Sequence, residues 1–305
     1  MTSTATGFGG GKIILVGEHA VVHGVPAIAA GLRRGVSSIA YAADEDSLHV
    51  EPWGTTWRPN AESEEPLERA FERVLSLYGD RPPLRSVVRV ALPPGAGLGC
   101  SAAIGVSLLD AIDKALGVPR SRADLGALAL EWERFFHGDP SGIDNLASAL
   151  GGLLCFQRWS PLRSISPKGS FFLVVAHSGQ RSNTKDMVAR VSRQLEARPD
   201  WGRRTLDEVH AMVLDSETAI RRGDLIALGG ALDRNHEILR SLNLSTPRLE
   251  GLCLAARSAG ALGAKVTGAG GGGCMVALAT DVEHAHRIAA ALEAESFVEE
   301  VGRAA

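Results

Sequence analysis

What is scarce in this sequence of 305 residues narrows its function before any motif is read. Cysteine occurs four times, at 100, 155, 253 and 274, with no Cys-x-x-Cys pair and no Cys/His spacing suited to a metal. That argues against a disulfide framework and against a zinc site, and implies free thiols in a reducing compartment. Charge of one sign is missing too. The 32 Lys and Arg face 35 Asp and Glu, the net charge is −3, and the basic residues are scattered. Such a balance gives no basic surface for nucleic acid or an anionic membrane. No apolar run reaches the ~18 residues of a membrane span. The start, MTSTATGFGGGK, lacks the charged-then-apolar pattern of a secretory leader. A cytoplasmic protein is expected, and the length suits two domains.

Glycine is abundant, and one glycine-rich stretch stands out: ALPPGAGLGCSAA, residues 91–103. Before it, Val87, Val88, Val90 and Leu92 alternate as in a strand. The chain then turns at Pro93 and Pro94 and passes Gly95, Gly97 and Gly99. From Ser101, the residues Ile104, Leu108, Leu109, Ile112 and Leu116 recur at helical spacing, and Gly117 and Pro119 supply a stop. A strand, a glycine loop and a helix N-terminus hold phosphate well. Glycine lets the backbone approach, free N–H groups point outward, and the helix dipole favours negative charge. A tight turn that holds nothing has the same sequence, so this loop alone does not decide.

In chain order, residues 1–10 read as a loose lead, and Lys12–Val16 as a buried strand that empties into Gly17-Glu18-His19. Further strands are expected at 25–32, 36–42 and 47–53, a loop at 54–63, and an amphipathic helix from Glu64 to Tyr78. Ser121 and Asp124 form a capping pair before one helix through Leu125, Leu128, Trp132 and Phe136. In HGDPSGIDN (137–145), Asp139 or Ser141 is expected to cap a helix, placing Asp144 near its N-terminus. A strand at 151–157 precedes the unpatterned, Pro/Ser-rich 158–169, where the boundary falls between domains 1–165 and 166–305. The second half reads as a strand at 171–176, helices at about 183–197, 205–222, 224–241 and 247–259, and a strand at 263–267. Gly268 and Gly270–Gly273 follow, then a strand at 274–279, a helix at 281–294 and a last strand. The class is α+β.

Three stretches taken together are specific. GKIILVGEHAVVHG (11–24), PPGAGLGCSAA (93–103) and KVTGAGGGGC (265–274) resemble, in sequence and in order, the three signature motifs of the GHMP small-molecule kinases. The first motif and HGDPSGIDN most resemble the mevalonate kinase branch. The resemblance spans essentially the whole chain. It implies an N-terminal domain like part of ribosomal protein S5, a ferredoxin-like C-terminal domain, and ATP and acceptor in a cleft between them. The implied reaction is ATP-dependent phosphorylation of mevalonate to 5-phosphomevalonate, with Mg2+, and the family often forms homodimers. Other readings share the glycine loop: phosphomevalonate kinase, a kinase for another mevalonate hydroxyl, diphosphomevalonate decarboxylase, a sugar kinase, or a non-catalytic nucleotide-binding relative. A dinucleotide fingerprint through Gly97, Gly99 and Ala102 would leave the other two motifs unexplained.

Residue by residue, the resemblance implies that Pro94, Gly95, Ala96, Gly97, Leu98, Gly99, Cys100, Ser101 and Ala102, with Gly270 and Gly271, bind ATP. No GxxxxGK[ST] occurs there, so a phosphate-contacting cation must come from elsewhere. Ser101 and Glu133 match magnesium ligands, a hard-oxygen set. Cys100 departs from the family, which usually carries serine there, and leaves Ser101 as the hydroxyl. Asp144 matches the catalytic aspartate and Lys12 the lysine beside it. Glu18, His19 and Thr184 match positions near the acceptor, whose carboxylate His19 or Lys185 could meet. His23, His137 and His236 are read as structural.

Overall fold

A computed structural model of the chain describes residues 4–93, 95–137 and 140–302. Pro94, Gly138 and Asp139 of the motifs above therefore lie outside the described residues. The chain forms two compact units, neither continuous in sequence. The first takes Met1–Lys12, Gly31–Leu92 and Gly99–Gly151, the second Ile13–Ala30, Pro93–Leu98 and Gly152–Ala305.

The elements up to residue 151 are β1 (Ala5–Val16), β2 (Ala27–Ala42), β3 (Ser47–Val50), β4 (Thr55–Trp57), α1 (Pro66–Ser76), β5 (Leu84–Val90), α2 (Cys100–Leu116), α3 (Arg122–Leu128), α4 (Leu130–His137) and α5 (Ile143–Leu150). β2 pairs with β1 and runs antiparallel to β5, from Val36 opposite Val90 to Ala42 opposite Leu84. β3 lies parallel to β5, and β4 runs antiparallel to β3. Helix α2 is buried almost all round, so its acids need partners. Asp110 accepts from the Phe8 N–H at 3.0 Å and pairs with Lys114, and Asp113 accepts from the Tyr78 hydroxyl at 2.7 Å.

Residues 5–10 are not a loose lead, because β1 begins at Ala5. Its glycines are there for close approach. A Cβ on Gly7 would stand 2.1 Å from the Ser107 carbonyl oxygen, and one on Gly9 2.3 Å from that of Ala103, so the strand lies directly on α2. The two segments expected at 25–32 and 36–42 are one strand, β2. A strand, β4, and a short 3-10 turn at Glu51–Trp53 occupy the end of the third expected strand and the start of the loop. Ser121 caps as expected, accepting from the Asp124 N–H at 3.1 Å, but the helix that follows is two, α3 and α4. Ser141 does not cap α5. Gly142 holds that position with φ 88°, and no side chain caps the helix.

Beyond residue 151 come β6 (Leu153–Phe156), β7 (Arg163–Ile165), β8 (Phe171–His177), α6 (Thr184–Ala197), α7 (Pro199–Arg222), α8 (Leu225–Ser241), α9 (Pro247–Ser258), β9 (Ala264–Thr267), β10 (Cys274–Ala279), α10 (Val282–Ala291) and β11 (Ser296–Val301). β6 pairs with residues 27–30 of β2 and with β7. β7 falls inside the stretch read as unpatterned. It is three residues long, and Arg163 on it grips Glu217 through two contacts of 3.0 Å. β11, β8, β10 and β9 form an antiparallel sheet in that order, with every residue of β9 and β10 buried. α7 starts at Pro199, earlier than expected, with proline in the first turn. No helix among the described residues is long and apolar enough to cross a membrane.

Candidate active site

In the first unit four candidate site residues, Lys12, Ser101, Glu133 and Asp144, come together from distant parts of the sequence. Lys12, buried on β1, places its Nζ 3.2 Å from Asp144 Oδ1 in the first turn of α5. Gly99 makes room for it. This residue precedes α2 with φ 72°, and a Cβ there would stand 2.9 Å from Lys12 Cγ. Glu133, in the first turn of α4, is 2% exposed. Burial pushes its carboxyl up to about 7; the charge of Asp144 adds to that, while Ser101 and Lys12 oppose it. The Cys100 thiol is raised as well, to about 11, by burial and then by Glu133. It keeps its proton, and the adjacent Ser101 presents a hydroxyl at the start of α2. Among the described residues no three His, Cys, Asp or Glu side chains gather as a self-sufficient metal site. Ser101 and Glu133 instead offer two hard oxygens, a set that suits a small divalent cation whose remaining ligands are phosphate oxygens and water.

The second unit holds the remaining motif residues. Gly95 and Gly97 have φ 67° and 75°, with buried Ala96 and Leu98 at the alternate positions. Alternation of this kind turns successive N–H groups toward one concavity, an anion nest. Against this loop packs the third motif. A Cβ on Gly268, φ 81°, would stand 2.9 Å from the Gly97 carbonyl oxygen, and Gly270–Gly273 are all at positive φ. Residues 178–183 strap the two loops together. The Ser182 N–H donates to Gly95 at 3.1 Å, its hydroxyl to the Gly270 carbonyl at 2.6 Å, and the Gly273 N–H to Gln180 at 2.8 Å. On the strap, the stem of Arg181 lies along Gly95, 3.2 Å from where a Cβ would be. Thr184 opens α6 directly after the strap and is exposed. Gly271 faces Met187 of the same helix.

Glu18 and His19 are both buried. His19 sits at φ 60°, a left-handed conformation costly for any residue but glycine. Its Nε2 lies 2.9 Å from the Ala269 carbonyl oxygen, so that nitrogen carries a proton and donates. Glu18 pairs with Lys265, a wholly buried lysine on β9 whose Nζ also reaches the Ile14 carbonyl at 3.4 Å. Glu18 and His19 line a small cavity of about 10 Å3, space for a single water, with Val191, Thr205, Val209 and Ile238. One wall is polar and charged, and the others are mainly apolar.

Two family models match this chain: the GHMP kinases N terminal domain over residues 66–152 and the GHMP kinases C terminal model over 216–299. The mevalonate kinase of Pyrococcus horikoshii is 33% identical over 293 residues, covering 88% of this chain and 86% of its own. That of Methanothermobacter thermautotrophicus is 35% identical over 269 residues, covering 87% of each. The chain belongs to the GHMP kinase family. The crystal structure of L. major mevalonate kinase in complex with R-mevalonate superposes on this kinase with a TM-score of 0.87 and 28% identity, covering 98% of this chain and 96% of that one. Streptococcus pneumoniae phosphomevalonate kinase, at 16% identity and TM-score 0.81, shares the fold.

The kinase fold is thus the two-domain α+β architecture that the resemblance implied. Two charged residues beside the candidate site residues were not singled out in the sequence. Lys265 opens the third motif but was given no role there, although a lysine inside an apolar strand is an anomaly that marks a buried partner. Arg181 gave no signal, because its relation to Gly95 is made entirely by the fold.

Proposed function

We propose that this kinase transfers the γ-phosphoryl group of ATP to the 5-hydroxyl of mevalonate, giving 5-phosphomevalonate and ADP. The observation that carries the reading is the Lys12–Asp144 pair at 3.2 Å, in the unit that also holds Ser101 and Glu133. Phosphoryl transfer needs positioning and charge neutralisation above all. Asp144 orients the acceptor hydroxyl and takes its proton as the oxygen bonds to the γ-phosphorus and the bond to the β–γ bridging oxygen breaks. Lys12 holds that carboxylate in place and offers positive charge to the transferring group. Ser101 and Glu133 hold Mg2+, which when bound neutralises charge on the phosphates. The nest at Gly95–Gly99 takes the phosphates, Gly270 and Gly271 close against them, and Arg181 is the cation that the loop lacks in sequence. Glu18, His19 and Thr184 bind the acceptor.

The division into an N-terminal domain to residue 165 and a C-terminal domain from 166 is part of the same reading, and the two family models fall on either side of it. A reducing cytoplasm is proposed as its compartment because Cys100, Cys155, Cys253 and Cys274 are all free. The test is ADP release with magnesium-ATP against mevalonate, phosphomevalonate, homoserine and galactose. Turnover on mevalonate alone, with the 5-phosphate as product, is expected. Preferential turnover of another acceptor would overturn the substrate.

A further inference from the structure

The two side chains proposed for the cation stand on different helices, Ser101 at the start of α2 and Glu133 at the start of α4. Trp132 links them. Its side chain is fully buried, and its indole N–H donates to the Ser101 carbonyl oxygen at 3.1 Å. The next residue in the chain is Glu133. One turn along α2 from Ser101, Gly105 opens a slot for the ring. A Cβ there would stand 2.7 Å from Trp132 Cδ1 and 2.8 Å from Cγ, so a side chain at 105 would displace the indole. On its own helix, Phe136 packs against the ring with centroids 5.3 Å apart and planes at 43°.

A buried indole N–H needs an acceptor, and many satisfy that need without consequence for function. This one takes the peptide oxygen of one proposed ligand while its own backbone leads directly into the other. The α2 backbone at Ser101 cannot shift along α4 without breaking that bond or driving Gly105 against the ring. We propose that Trp132 is a positioning residue for the metal: it sets the spacing between the Ser101 hydroxyl and the Glu133 carboxylate. The inference rests on the reading above, in which those two residues hold Mg2+.

The test uses the full chain with Trp132→Phe, which keeps an aromatic ring in the slot and removes the N–H. Mn2+ is the probe, its affinity for the protein–ATP complex measured by electron paramagnetic resonance. ATP affinity in excess chelator is measured alongside by calorimetry. Removing such outer partners of metal ligands typically costs about 10–100-fold in metal affinity. A loss of roughly 10-fold for Mn2+, with chelated ATP binding unchanged, is expected. Unchanged Mn2+ affinity, with only a lower melting temperature, would reduce Trp132 to core packing and overturn the proposal. If the variant does not fold, the unsubstituted protein labelled with 5-fluorotryptophan replaces it. Its five tryptophans are assigned by Phe substitution at the other four. The Trp132 resonance should move when Mg2+ joins the ATP complex and stay when ATP binds in chelator; no metal-dependent shift is the overturning result. Ser101→Ala and Glu133→Gln separate the two levels. If neither lowers Mn2+ affinity, the ligand assignment itself fails. If both do and Trp132→Phe does not, only the role of Trp132 fails.

Discussion

In the proposed reaction Asp144 and Lys12 divide one task between them. The carboxylate is one-third exposed, open to a hydroxyl arriving from solvent, while the ammonium is 8% exposed and fixed beneath it. Asp144→Asn preserves size and removes the base, and general-base groups contribute about 10²–10⁴-fold. We expect kcat to fall by that order while ATP affinity, measured at equilibrium, stays within about 2-fold, because no proposed phosphate contact is touched. Near-normal turnover in this variant would remove Asp144 from the chemistry. Both residues were legible in the sequence, each standing inside a recognisable motif. The role of Lys265 was not, although it too stands in a motif, since its meaning is the buried carboxylate of Glu18, which stands some 250 positions earlier and which only the fold brings into contact.

At the level of elements, amphipathic helices such as α1 were legible because their buried residues Leu67, Phe71, Val74 and Leu75 repeat at helical spacing. The strand at 5–10 was not. Glycine has no side chain to show a period, so GFGGG reads as slack although Gly7 and Gly9 are where β1 meets α2. The glycine loops had the opposite fate: their composition announced phosphate, but the way Gly268 seats on Gly97 was invisible. That contact gives a test of whether the two loops act together on the nucleotide. Gly268→Ala places a Cβ 2.9 Å from a backbone oxygen at φ 81°, a strain of about 1–3 kcal/mol. If the loops bind phosphate, part of that strain should move the nest, and ATP affinity should fall roughly 10-fold. Arg181→Met keeps the stem over Gly95 and removes the charge, so it should weaken ATP several-fold and AMP hardly at all. Equal losses for ATP and AMP, read by calorimetry, would mean that Arg181 only packs.

For the molecule as a whole, stability against acid should be set in part by a residue outside the chemistry. His236, on α8, is 2% exposed, and its Nδ1 accepts the Val266 N–H at 3.4 Å. Burial lowers its pKa to about 4. Glu250, with Oε1 3.3 Å from Nε2, opposes that shift, and the charges of Arg257, Lys265 and Arg240 add to it. The folded pKa therefore lies below the ordinary value of 6.5, and between the two the unfolded chain holds more protons than the folded one. Stability from this group is fully present above pH 6.5 and is lost as pH falls from there toward 4. With a shift of this direction and size, the loss amounts to roughly 1–3 kcal/mol. Denaturant unfolding at pH 7.5 and pH 4.5 reads it directly. His236→Asn retains an acceptor for the Val266 N–H without a titrating ring, so its stability should change less between those pH values. An unchanged slope in that variant would place the acid sensitivity of the fold elsewhere, in carboxylates held below their ordinary pKa, such as Glu217, which Arg221 and Arg163 keep ionised against its burial.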